Sequence, residues 1–207
     1  MSLLSTAVYA NPSLPLWSAV GSGGGATGPT GPTGGSGPTG PTGPSSGGAV
    51  ASQTLLGQFG SGASEGAVPA TGSYFTRALT AGLPILVGGN STTIAGMSLT
   101  SNVITLPAGT YSIKGAVPAF GVGRHKGRLY NQTDSNVQVL GQSAYADTAG
   151  QVEVSSLVQG VFTLTAQARF ALEQQCENTG NPTLALGVSA NFGDPEVYSV
   201  LTIDKVA

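Results

Sequence analysis

Gly25-Ala-Thr-Gly28-Pro-Thr-Gly31-Pro-Thr-Gly34-Gly-Ser-Gly37-Pro-Thr-Gly40-Pro-Thr-Gly43-Pro-Ser45 places a glycine at every third position through seven consecutive triplets. Three polyproline-II chains can wind around one another only if the residue at the crowded axis lacks a side chain, and that residue recurs every third position. The register therefore predicts a collagen-like triple helix with Gly25, Gly28, Gly31, Gly34, Gly37, Gly40 and Gly43 at its axis. A lone chain of this composition has no apolar face to bury, so the alternative is a disordered linker. In the wound state the 21 residues span on the order of 60 Å. Thr occupies most third positions, Gly35 adds a second glycine to one triplet, and Ser46 ends the register. Such a rod is weak, and another part of the chain has to hold three copies together.

Toward the N-terminus, residues 1–24 carry apolar side chains at Leu3, Leu4, Val8, Tyr9, Leu14, Leu16 and Trp17, broken by Pro12 and Pro15. The prolines disfavour a continuous helix and bias their neighbours toward extended backbone. The stretch has no basic leader region and is too short and interrupted to span a bilayer. It predicts an extended peptide that docks in a groove of a larger assembly through Leu3, Leu4, Tyr9, Leu14, Leu16 and Trp17, with Gly21 to Gly24 uncoupling it from the rod; the alternative is a mobile terminus whose apolar residues have no role.

On the other side of the rod, residues 46–73 are again rich in Gly, Ala and Ser and form a neck. Their one apolar island, Leu55, Leu56 and Phe59, either begins the first strand or clusters three chains. From 74 to 207 short alternating segments are punctuated by glycine, proline and asparagine, which is how an all-β sandwich or barrel reads. Tyr111, Ile113, Val117 and Ala119 share one parity; Phe170, Leu172 and Cys176 share a strand face opposite Arg169 and Glu173. In the segment 196–203, Val197, Leu201 and Ile203 take one face, while Tyr198 and Val200 make the other apolar too. Two apolar faces predict burial on both sides, so Tyr198 and Val200 are expected at a subunit interface. Turns are expected at 88–90, 107–109, 179–182 and 193–195.

Charge narrows the function. Of 207 residues only 16 are charged, the first 64 carry none, and the net charge is -2, which leaves no general electrostatic footprint for nucleic acid or an anionic membrane. One histidine, His125, rules out a multi-histidine metal site within one chain, and no nucleophile elbow accompanies the serines. Asp194 and Glu196 form a pair, short of a calcium ligand set. No catalytic residue and no cofactor is expected. The single Cys176 excludes an intrachain disulfide and reads as a small buried hydrophobe. The segment 121–127 matches neither phosphate-binding fingerprint and reads as a loop or hairpin. It nevertheless holds, with its neighbour, the densest basic patch: Arg124, His125, Lys126 and Arg128. Repeated around a threefold axis, that patch is a candidate site for anionic glycans or sulfate, unless acidic neighbours neutralise it.

A collagen-like rod followed by an all-β head that ends in Glu196-Val-Tyr198-Ser-Val-Leu201-Thr-Ile203 resembles the complement-globular-head and tumour-necrosis-factor-like jelly rolls. Gly127-Arg-Leu-Tyr-Asn131, Gln159-Gly-Val-Phe-Thr-Leu164 and Glu173-Gln-Gln-Cys176 resemble heads that follow Gly-Pro-Thr repeats in bacteriophages and large DNA viruses and, more distantly, in spore-surface filaments. The resemblance implies a jelly roll of about ten strands in two sheets, forming a trimeric head with no catalytic residues. It also implies O-glycans on outward threonines, here Thr27, Thr30, Thr33, Thr39 and Thr42. Together these readings predict a homotrimeric virion fibre or spike, assembled inside the host cell, held to capsid proteins by its N-terminal peptide and binding host-surface glycans through its head. A minor capsid or cement protein, or a spore-type filament, is the alternative.

Overall fold

The computed structural model describes residues 51–80, 86–87, 90–91, 93–149 and 152–206, together with Gly28, Gly31 and Gly35. The chain divides into two units, Met1–Gly43 and Pro44–Ala207. In the first unit the three described glycines are exposed, and a Cβ placed on any of them meets nothing of its own chain within 4 Å. The other axis glycines, the five threonines and the apolar anchor residues Leu3, Leu4, Tyr9, Leu14, Leu16 and Trp17 lie outside the described residues.

Among its described residues the second unit has twelve strands: β1 Ala51–Phe59, β2 Phe75–Thr76, β3 Leu86–Val87, β4 Asn90–Ser91, β5 Ser98–Thr100, β6 Val103–Leu106, β7 Gly109–Phe120, β8 Gly123–Asn131, β9 Asn136–Ala146, β10 Glu153–Leu164, β11 Ala168–Cys176 and β12 Glu196–Lys205. No helix occurs among the described residues. Ten of the strands form two sheets. Sheet A runs β1-β12-β7-β10; sheet B runs β5-β6-β11-β8-β9, with β2 also paired to β11. Every ladder in them is antiparallel. From β6 onward the chain crosses between the layers at each step except the β8–β9 hairpin, and this wrapping of one strand ribbon over two sheets is a jelly roll.

The head begins earlier than the sequence reading placed it. Residues 46–73 were expected to be a neck, with the head starting at Tyr74. Instead β1 pairs with β12 from Ala51↔Lys205 to Phe59↔Glu196, and Leu55 is fully buried in the core. The segment after β1 adds Val68 to the smaller core cluster and Glu65 to a buried ion pair. The apolar island therefore opens the first strand.

The alternation rule explains the core. Tyr111, Ile113, Val117 and Ala119 all point inward from β7, as their shared parity requires, and Phe170, Leu172 and Cys176 do so from β11. Tyr111, Phe162 and Phe170 form a run of tilted rings 5.8 and 5.6 Å apart, and the buried Tyr111 hydroxyl donates to Pro107 O at 2.8 Å. Fully burying aliphatic or aromatic side chains of this kind stabilises by about 1.5–3 kcal/mol each. A second, smaller cluster of Val68, Ala119, Val122, Ala146, Cys176, Ala185 and Leu186 fills the end of the sandwich near the start of β8.

The connections follow turn chemistry. Ser101 and Asn102, both at positive φ, join β5 to β6 where Thr100 pairs with Val103, a two-residue hairpin loop. Asn102 then accepts the Leu79 N–H at 2.9 Å. The expected turns at 179–182 and 193–195 fall between strands, with Gly180 and Gly193 at φ 62° and 96°; that at 107–109 runs into the first residue of β7, and that at 88–90 lies outside the described residues except for Asn90, in β4.

Candidate functional site

The basic segment is a strand. Of the loop or hairpin expected over residues 121–127, the hairpin forms: Gly123–Asn131 is β8, its first arm, between β9 and β11 in sheet B. Side chains on a strand alternate between faces, so the four basic residues separate. Arg124, Lys126 and Arg128 face outward; His125 is 3 % exposed and points into the sandwich. No continuous four-residue basic surface exists.

On the outer face each arginine has a carboxylate. Arg124 pairs with Glu177, whose Oε2 also accepts the Arg124 N–H at 3.0 Å. These two hydrogen bonds hold the Glu177 carboxyl down to about 2. Arg128 Nε donates to Glu173 at 2.7 Å, and its guanidinium lies 3.6 Å from the Tyr74 ring centre and 4.4 Å from that of Tyr130. Contacts of this kind fix a guanidinium plane by cation–π attraction. The neutralising partners are thus Glu173 and Glu177. They stand 45 and 53 positions from their arginines, and strand register brings them opposite. Only the register signals them. Lys126 lies between the two pairs and makes no ion pair among the described residues.

Inside, His125 ends a directional chain of hydrogen bonds. Arg77 is fully buried, and all five of its N–H donors are taken: by both oxygens of Glu65, by Pro118 O at 2.7 Å, by Leu186 O at 2.8 Å and by the side-chain oxygen of Gln174. With its oxygen accepting from Arg77, Gln174 turns its amide nitrogen to His125 Nδ1 at 3.0 Å. Nδ1 must then be an acceptor, which puts the ring proton on Nε2, a buried atom without a partner. Burial and the Arg77 charge push the imidazole down to about 4. His125 is neutral near pH 7 and contributes no positive charge to a surface ligand. Burial likewise pushes the Cys176 thiol up to about 11, which makes it a packing residue.

The residues expected at a subunit interface also separate. Tyr198 is 7 % exposed and buried by its own chain. Its ring lies against Gly187, where a Cβ would stand 2.1 Å from Cδ1, it is tilted against Phe59, and its hydroxyl donates to Ala63 O at 2.7 Å. Tyr198 is therefore corrected from an interface residue to a core residue. Val200 is half-buried and sits in a row across the outer face of sheet A, Leu56–Val200–Ala116–Leu157, each residue the register partner of the next.

Two further candidates resolve into structural roles. Glu196 accepts the N–H groups of Gly62, Ala190 and Asn191, which hold its carboxyl below the ordinary range and spend it on bracing two loops. Asn131, which with Gln132 and Thr133 spells a nominal N-glycosylation sequon, as Asn90-Ser-Thr also does, is buried with its amide committed to Thr133, Asp134 and Gln138. Among the described residues no cluster of three His, Cys, Asp or Glu is placed to hold a metal ion.

No protein-family model matches the chain, and no curated protein matches it. Among solved structures the chain is similar to murine APRIL in a crystal structure at pH 5.0, with 11 % identity and a TM-score of 0.44 over 75 % of this chain and 98 % of that one. It is similar also to the murine APRIL crystal structure at pH 8.0, with 11 % identity and a TM-score of 0.44 over 74 % of this chain and 98 % of the other.

Proposed function

We propose that the chain is a homotrimeric fibre or spike of a virion surface. Residues 1–24 dock into capsid proteins, 25–45 wind as a collagen-like spacer, and a jelly-roll head, which starts by Ala51, faces outward and binds host-surface glycans. The observation that carries this reading is the apolar row Leu56–Val200–Ala116–Leu157 on a head joined to seven Gly-X-Y triplets. The triplets call for three chains, and the row supplies an apolar strip across sheet A that neighbouring copies can cover. A head-driven trimer would hold the weak rod in register, and three heads would add avidity to weak contacts.

Light scattering on the full-length protein tests the first step, and three chain masses are expected; a monomer at micromolar concentration would sink it. Deleting residues 1–20 tests the second. Trimers should persist while the protein disappears from particles, and normal incorporation would remove the anchor role. A second reading, a cement protein packed between capsomers, draws support from Phe192, 88 % exposed on the loop before β12. Phe192→Ser should weaken particles only under that reading.

A further inference from the structure

We infer that the outer face of sheet B holds a binding site for a saccharide carrying one anionic group, centred on Lys126 and Tyr145. The inference rests on the glycan-binding reading above and gives it a place and a ligand class. Three observations carry it.

The first is charge. Along β8, Arg124, Lys126 and Arg128 bring three cations to this face, and Glu177 and Glu173 compensate two of them. Beside the depression one positive charge remains, on Lys126, flanked by ion pairs whose planar groups are already fixed; the exposed Arg169 on the same face lies toward the other end of β11. A site with one uncompensated ammonium matches one carboxylate or sulfate; a polyanion would meet Glu173 and Glu177.

The second is shape. Gly72, Arg124, Lys126, Ser143, Gln175 and Glu177 line a depression of about 310 Å³, the lower end of the size that suits a small ligand. Its wall at Gly72 is pinned, because Gln175 Nε2 donates to Gly72 O at 2.6 Å and the Gly72 N–H donates to Cys176 O at 2.9 Å. That leaves the Gln175 side-chain oxygen to accept a hydroxyl. The hydroxyl of Ser143, the register partner of Lys126, makes no side-chain hydrogen bond among the described residues and can donate or accept.

The third is an unused aromatic ring. Tyr145 is the register partner of Arg124 on the same outer face and is 57 % exposed. It stacks with no other ring among the described residues. An amphipathic ring beside fixed hydrogen-bonding groups offers a flat apolar surface to the C–H face of a sugar while its hydroxyl stays in water. Sheet A and sheet B are opposite layers of one sandwich, so a trimer closed through sheet A leaves this site facing outward.

Full-length protein is titrated against immobilised sialyllactose, sulfated lactose and neutral lactose. Binding to at least one of the two singly anionic sugars and not to neutral lactose is expected, with the preferred arm telling carboxylate from sulfate. Lys126→Gln and Tyr145→Ala should each weaken it about tenfold or more. Arg169→Gln, which removes the same charge from an exposed position elsewhere on β11, should leave it unchanged, and light scattering should show the wild-type mass for all three variants. Unaltered binding by Lys126→Gln overturns the site, as does equal binding of neutral lactose or no binding of any of the sugars. Failure of the attachment reading looks different: particles lacking the protein would adsorb to host cells normally, whatever the head binds in vitro.

Discussion

The two outward faces of the sandwich are made of different matter. Across sheet A the row Leu56–Val200–Ala116–Leu157 is half-buried and uncharged, and the row beside it, Thr54–Thr202–Lys114–Gln159, carries a single charge; across sheet B the rows are Tyr145–Arg124–Glu177, Ser143–Lys126–Gln175 and Leu140–Arg128–Glu173. Both sheets fill their inner faces with the same kinds of side chain. What distinguishes them is therefore what each must meet outside: an apolar surface loses least by being covered, whereas fixed ion pairs remain soluble. A head that has to join copies of itself on one side and address a ligand on the other would be divided in this way.

The largest expected effect tests whether sheet A is complete without the residues before Tyr74. A chain covering 46–207 should fold, and one covering 74–207 should not. The second lacks β1, which exposes the β12 edge, and lacks Glu65, which leaves Arg77 buried without its carboxylate. Breaking a buried pair by removing one partner costs about 3–5 kcal/mol, so Glu65→Ala in the full-length chain should show most of the damage by urea denaturation. A native-like melt of 74–207 would contradict the account of sheet A.

Next in size is an acid effect that comes from the inner side of sheet B. His125 titrates at about 4 when folded, against an ordinary value of 6.5, so between those values the unfolded chain binds a proton that the folded chain refuses. Stability is full above about pH 6.5, falls as the pH drops toward 4, and levels off below it for this group, a total of about 3 kcal/mol. Protonating Nδ1 would set two donors against each other at Gln174. His125→Asn should flatten this slope in urea midpoints taken across the same range; an unchanged slope would assign the acid sensitivity to other groups.

Val200→Asp should act on assembly more than on the subunit. Its side chain lies on the outer face, so near-native circular dichroism should accompany a fall from three chain masses to one. Retained trimers would move the interface off sheet A. The smallest effect belongs to Lys126→Gln, which should change stability by less than about 0.5 kcal/mol and leave the mass untouched, because surface positions outside networks contribute little. A larger loss would mean that sheet B's outer face is structural after all.

Much of this arrangement is legible residue by residue. The parity of Tyr111, Ile113, Val117 and Ala119, and of Phe170, Leu172 and Cys176, predicts the inner faces of β7 and β11 because period two is a property of the strand itself. β1 escapes that reading. Ala51-Ser-Gln-Thr-Leu55 is polar because β1 is an edge strand of sheet A, where Ser52 bonds to Asp204 and Thr54 pairs with Thr202 across the ladder to β12. β8 is disguised by glycines that resemble turn punctuation. Gly123 does begin the strand at φ 72°, but Gly127 is required by contact: a Cβ there would stand 2.6 Å from Val117 Cγ2, and its N–H is taken by Ser156 Oγ at 2.8 Å. Tyr198 looks like a second apolar face because nothing local reveals that Gly187 makes room for its ring. Partners chosen by register and by close approach are tertiary facts, and a single chain of letters does not contain them.

The pairing of β1 with β12 has a temporal consequence. In sheet A the strand nearest the Gly-X-Y repeat, apart from a single bridge from Leu56 to Thr80, has no ladder partner among the described residues except β12, which the ribosome delivers about 140 residues later. Contacts so distant in sequence close late and slowly. The repeat thus emerges first yet is tethered last, to a sheet whose edge cannot be set until the head has been synthesised. If the repeat winds as proposed, three chains would be brought into alignment from the head backward, and winding would start near Gly43 and run toward Gly25.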